Sequence, residues 1–176
     1  AVPSIISSIP KFMTDEFMLS KYANNKSELL VDKMKELGYS TAFFHGATNG
    51  SMNFDAYCSL AGFEKYFGRS EYDNDEHFDG TWGIWDEEFL KWTVDKIGEM
   101  EKPFFSTIFT ISSHPPYVLP EKYEKLFGNA KSERHKVVQY ADLALKAFFD
   151  KARKKPWFDN TLFILTADHT PGSSRR

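Results

Sequence analysis

Cysteine is all but missing from this sequence: Cys58 is the one copy in 176 residues. A single thiol excludes an internal disulfide and any metal site built from several cysteines. No run of 18 or more apolar residues occurs, so no segment reads as a membrane-spanning helix. A basic surplus is missing too. Lys plus Arg number 22 against 25 Asp plus Glu, a formal charge of −3, which argues against a nucleic-acid binder with its basic face. The opening AVPSIISSIPKF has no basic stretch ahead of an apolar one and does not read as a signal peptide. Repeats, low-complexity tracts and long linkers are lacking. What is present is 41% hydrophobic and 27% charged, enough for one globular core.

Helical and extended patterns alternate along the chain. Residues 25–37 read as a helix with Leu30, Met34 and Leu37 on one face and Gly38 as its stop. The apolar run 41–44 (TAFF) reads as a strand. A glycine-rich polar loop, HGATNGS, follows it. A short helix is expected over 53–61, stopped by Gly62, then an extended piece over 63–67. The acidic stretch 69–83 reads as loop. Asp86 reads as an N-cap, ahead of a helix whose apolar face is Leu90, Val94 and Ile97. PFFSTIFTI (103–111) is a buried strand by composition, and SSHPP breaks it. A helix begins at Pro120 and stops by Gly128. A longer one, capped by Ser132, carries Val137, Ala141, Ala144, Leu145 and Phe148 on one face. TLFILTA (161–167) reads as a last buried strand, ending in Asp168 and His169. Near-continuous apolar strands between amphipathic helices predict an α/β fold with a largely parallel sheet covered on both faces.

In an open parallel sheet, ligands bind beyond the carboxyl ends of the strands. Three strands would deliver His45, His114 and the Asp168–His169 pair to that edge. A carboxylate beside an imidazole suits a divalent metal, although two ligands do not complete a site. His114 lies between prolines and serines that fix its loop, where an imidazole can meet a phosphate or sulfate oxygen. HGATNGS can hold an anion on backbone N–H groups, with Asn49, Asn53 and Asp55 nearby; turn and cap chemistry is the plainer role, favoured for Asn53. His77 and His135 read as solvated, Cys58 as a small packed side chain, and the tryptophans (82, 85, 92 and 157) as core.

FHGATNGSMNFDAY, WGIWDEEF, SSHPPY and LTADHT occur in an order that resembles the lipoteichoic acid synthase-like branch of the sulfatase and alkaline phosphatase superfamily. The resemblance spans about residues 1–170. It implies an alkaline phosphatase-like α/β sandwich, present here in part over 1–176, with a membrane anchor upstream and a catalytic domain on the extracytoplasmic side. It implies a divalent metal (Mn2+, Mg2+, Ca2+ or Zn2+) held by Asp168 and His169 together with a glutamate and a threonine nucleophile upstream of Ala1. His114, His45, Asn49 and Asp55 are then substrate-binding candidates, and the substrate is a phosphate or sulfate ester, as on a lipid headgroup or glycan. The chain alone is expected to be inactive. Two places depart from the branch: Met52 and Phe54 stand where it carries a tryptophan and an arginine that grip a glycerophosphate. The formylglycine signature of true sulfatases is absent, since Cys58 begins CSLAG. These losses and the aromatic content leave an alternative, a non-catalytic sulfatase-like domain that binds a glycan or a protein partner.

Overall fold

The computed structural model describes residues 2–10, 14, 16–25 and 28–169. Three parallel strands form one sheet in the order β2-β1-β3: β1 Ser40–Phe44, β2 Lys65–Phe67 and β3 Phe104–Ile108. Among the described residues seven α-helices accompany them: α1 Val2–Ser7, α2 Leu30–Glu36, α3 Phe54–Leu60, α4 Arg69–Tyr72, α5 Asp86–Gly98, α6 Glu121–Glu124 and α7 Glu133–Ala152. In register, Phe44 pairs with Phe67 on one side and Ile108 on the other.

The two-residue period of β1 splits its side chains between two cores. Ala42 and Phe44 face Leu90, Val94 and Ile97 of α5 and Ala144 and Phe148 of α7. Phe43 faces Val2, Ile6, Val31, Phe54 and Cys58, which come from α1, α2 and α3. Helices therefore cover both faces of a parallel sheet, the architecture expected from the alternating pattern. A third, smaller cluster of Leu119, Val137 and Tyr140 sits between α7 and the segment before α6.

Several elements differ from the sequence reading. The helix expected over 25–37 forms only as α2, and residues 26–27 lie outside the described set. Its buried residues are Leu29 and Val31, whereas Leu30 and Leu37 are exposed, because the helix meets the core by its first turn only. Residues 69–83 hold a turn of α-helix and a 3-10 turn, Asp75–His77, in place of plain loop. Asp86 is the first residue of α5, with Trp85 at the N-cap.

The largest difference is the last expected strand. Residues 161–169 form no ladder; Leu162 is 84% exposed and Ile164 80%. At its start Phe163 packs on Phe148, Phe149, Trp157 and Phe158, and Thr161 donates to Trp157 O and Phe158 O. A strand is held by a neighbour's N–H and C=O groups. Among the described residues no strand pairs with this run, and the Phe163 ring contacts and Thr161 hydrogen bonds hold its start. The tail PGSSRR and Ala1 lie outside the described residues.

Candidate active site

Parallel pairing of β1 and β3 places the loops that follow them side by side. The ladder runs one step past the strand ends, where Phe109 N–H donates to Phe44 O at 2.8 Å. His45 comes next in chain order. Its Nδ1 lies 2.9 Å from Phe109 O; a carbonyl only accepts, so Nδ1 carries the proton. Phe54 and Phe109 flank the ring with centroids 4.7 and 4.8 Å away. Burial in this aromatic slot pushes the His45 pKa down to about 4, so the ring is neutral at pH 7. Its Nε2 keeps a lone pair. The ring is thus a neutral hydrogen-bond acceptor at Nε2 rather than a charged donor. Phe54 is a wall of this slot; Met52 is exposed.

His114 is exposed on the loop after β3. Its amide donates to Ile111 O at 3.1 Å, and its Nδ1 lies 3.1 Å from Pro115 O, which leaves Nε2 as the ring nitrogen for a ligand. Trp82 stands edge-on to it at 4.8 Å and donates from Nε1 to Pro115 O at 2.6 Å. Trp82 O in turn accepts from Thr48 N–H at 3.0 Å. The segment 82–86 therefore touches both loops. Ile84 N–H donates to Gly46 O at 2.8 Å, and the Asp86 carboxylate receives the amides of Ile111 and Ser112.

In the HGATNGS loop the amides of His45, Thr48 and Ser51 each donate to a carbonyl, as does that of Asn53 just after it. Asn49 accepts from Ser70 N–H and donates to Glu71, and Asn53 donates to Met18 O, so both act as braces. Asp55 accepts its neighbour's amide, Ala56 N–H. A shallow cavity of about 510 Å³ beside this loop is lined by Thr48, Arg69, Ser70, Asp73 and Asp75. Asp75 sits 2.7 Å from Arg69 Nε, so the one cation there is matched by a carboxylate.

His169 Nε2 lies 3.3 Å from Asp168 Oδ2 at the end of the extended run. No group of three His, Cys, Asp or Glu suited to a metal occurs among the described residues. Since 161–167 is not a sheet strand here, His45 and His114 follow adjacent parallel strands, whereas the sheet does not present Asp168 and His169. Elsewhere, Cys58 is buried and its thiol pushed up by desolvation, as a packed side chain should be. His77 is not simply solvated, since its Nδ1 meets the Tyr72 hydroxyl. Trp82 and Asp86 were the residues that sequence reasoning missed. The first reads as core and the second as a cap, and only their tertiary contacts show otherwise.

The family model described as "Sulfatase" matches residues 2–175. The chain belongs to the sulfatase family. This sulfatase-family chain is 27% identical over 137 residues to lipoteichoic acid synthase 1 of Bacillus subtilis (strain 168), covering 75% of itself and 21% of that protein. With the lipoteichoic acid synthase of Staphylococcus aureus (strain USA300) it shares 26% over 137 residues, with the same two coverages. It thus spans about a fifth of the length of these curated relatives. Among solved structures, a protein in the alkaline phosphatase superfamily from Vibrio parahaemolyticus superposes with a TM-score of 0.77 at 29% identity. The match covers 90% of this chain and 39% of that one. The lipoteichoic acid synthase LtaP from Listeria monocytogenes gives 0.74 at 20% identity, over 86% and 38%. Sequence and fold agree on a lipoteichoic acid synthase-like member of the sulfatase and alkaline phosphatase superfamily, present as a partial domain. No helix among the described residues is long and apolar enough to cross a membrane.

Proposed function

We propose that this chain is part of a larger catalytic domain that hydrolyses or transfers a phosphate or sulfate ester, with a phosphoglycerol-type group as the first candidate. One observation carries the reading: His45 and His114 follow the carboxyl ends of adjacent parallel strands on a sulfatase-family scaffold. That edge is where such sheets bind ligands. His114 Nε2 meets an oxygen of the transferred group. Neutral His45 accepts a hydrogen bond from a substrate hydroxyl, of which a glycerol headgroup has one to spare.

Asp168 and His169 offer a carboxylate oxygen and an imidazole nitrogen side by side, a donor chemistry that fits a divalent cation of the Mn2+, Mg2+ or Zn2+ class. They are two members of a ligand set; the family resemblance puts the others, and the nucleophile, outside this chain. When bound, the metal supplies positive charge for an ester oxygen and for an ionised nucleophile. On this reading the domain lies on the extracytoplasmic side of a membrane, where lipid headgroups and glycans are within reach. The buried Phe54 in place of the branch's arginine favours a second reading, a sulfatase-like domain that binds a glycan or partner without turnover.

Turnover of nitrophenyl phosphate, a nitrophenyl phosphodiester and nitrophenyl sulfate by the intact protein, with Mn2+, separates these. Catalysis is expected on at least one ester, and Asp168→Asn should lower it about 100-fold or more. The 176-residue chain by itself should turn over none. Failure of the intact protein on every ester, or full activity of Asp168→Asn, overturns the proposal.

A further inference from the structure

Among the described residues Asp86 is the one carboxylate that is buried, at 2% exposure. It is not idle there. Oδ1 accepts Ile111 N–H at 2.9 Å, Oδ2 accepts Ser112 N–H at 2.9 Å, and Asp86 N–H donates to Ser112 Oγ at 3.0 Å. These three bonds join the start of α5 to the first residues of the loop after β3. The loop hangs from that point: His114 N–H donates to Ile111 O, and Tyr117 N–H donates to His114 O, both at 3.1 Å. Residues 113–116 are exposed, with the Trp82 ring edge-on to His114. The contact from Trp82 to Pro115 is the other tether.

We propose that Asp86 is a positioning residue for His114: its carboxylate holds the two amides from which the His114 loop hangs, and so sets where the imidazole stands against the substrate. The choice of side chain supports this. Two adjacent backbone N–H groups need two acceptor atoms. A carboxylate has two, whereas an asparagine has one and turns an NH2 toward the other amide. Burying a carboxylate is costly, and burial raises the Asp86 pKa to about 6 against the pull of the Ile111 and Ser112 donors. An ordinary helix start is served as well by an exposed serine or asparagine. The inference rests on the functional reading in so far as His114 touches substrate.

The test uses Asp86→Asn, Ser112→Ala, His114→Ala and the double variant Asp86→Asn/His114→Ala in the intact protein. Amide hydrogen exchange over residues 109–117 should speed up about 10-fold or more in Asp86→Asn while that of 40–45 stays put, with a smaller effect in Ser112→Ala. Asp86→Asn should lower kcat about 10-fold with KM changed less than about 3-fold. In the His114→Ala background the same substitution should cost nothing further, because it acts through the imidazole. Additive losses would overturn the proposal, as would unchanged exchange over 109–117 or a uniform loss of protection across the molecule. Absence of turnover before any substitution sinks the functional reading instead, and the exchange comparison then decides the tether on its own.

Discussion

Two buried ionisable side chains, His45 and Asp86, bracket the candidate site and carry opposite pH signatures. His45 has its folded pKa near 4, below its ordinary 6.5. Between those values the unfolded chain binds more protons, so the neutral ring's contribution is complete above pH 6.5 and is lost as pH falls toward 4. The full shift corresponds to about 3 kcal/mol. Asp86 is the mirror case, since its pKa is raised from 3.8 to about 6. Here the folded state binds the extra proton, so stability rises as pH falls from about 6 to about 4, again by about 3 kcal/mol. Between these two groups the slopes largely cancel. Substitution should unmask them. His45→Asn keeps a donor for Phe109 O and removes the titration, so its stability should rise on acidification from pH 6.5 to 4.5. Asp86→Asn should do the reverse and fall. Urea midpoints at half-unit pH steps measure both, and parallel profiles for the two variants would contradict the assignment.

At the scale of elements, the site depends on a short two-stranded contact that joins the loop after β1 to the segment before α5. Ala47 bridges Gly83, and Phe78 bridges Ile84. The Asp79 carboxylate receives the amides of Thr81, Trp82 and Gly83, which closes the turn that feeds this contact. Gly83 is required there for space. A Cβ would lie 2.2 Å from Gly46 O and 2.6 Å from Ala47 Cα, both backbone atoms that cannot rotate away. Gly83→Ala should therefore cost about 2–3 kcal/mol in a denaturant titration. It should also deprotect the Thr48 and Ile84 amides first. Little of this contact was legible in the sequence. The strands β1 and β3 announce themselves by apolar runs, and α7 by its 3.6-residue period and Ser132 cap, whose side chain accepts from His135 N–H. Residues 69–86 have no period, because what orders them is a set of side-chain to backbone bonds, some within a turn and some to residues far away in the chain. His45 and His114 were readable as strand-end residues. That Nδ1 of His45 is tied up and its ring neutral was not, since both follow from Phe109 and Phe54, which no local pattern connects to it.

For the molecule as a whole, apolar surface is the deciding quantity. Leu162, Ile164 and Leu165 are 84%, 80% and 61% exposed on an extended run, and β3 sits at the margin of a three-stranded sheet. An extended apolar segment beside an open sheet edge is a template for pairing with another chain. The composition cannot oppose this strongly, because a net charge of −3 on 176 residues gives little repulsion between copies. The sequence reading put 161–167 inside a sheet on its apolarity, and that inference about preference stands even though no partner is present among the described residues. A segment can carry the chemistry of a buried strand while lacking the neighbour that buries it. The 176-residue chain on its own should therefore self-associate at micromolar concentration. Placing lysine at both exposed positions, Leu162→Lys and Ile164→Lys, should return it to monomer without lowering its unfolding midpoint, since neither side chain is packed. Phe163→Lys is the contrasting case: it breaks the contacts with Phe149 and Phe158 and should destabilise the fold while leaving the exposed leucines in place. Sedimentation velocity read beside thermal unfolding separates the two effects. A chain that stays monomeric before any substitution would show that 161–167 is already covered in solution.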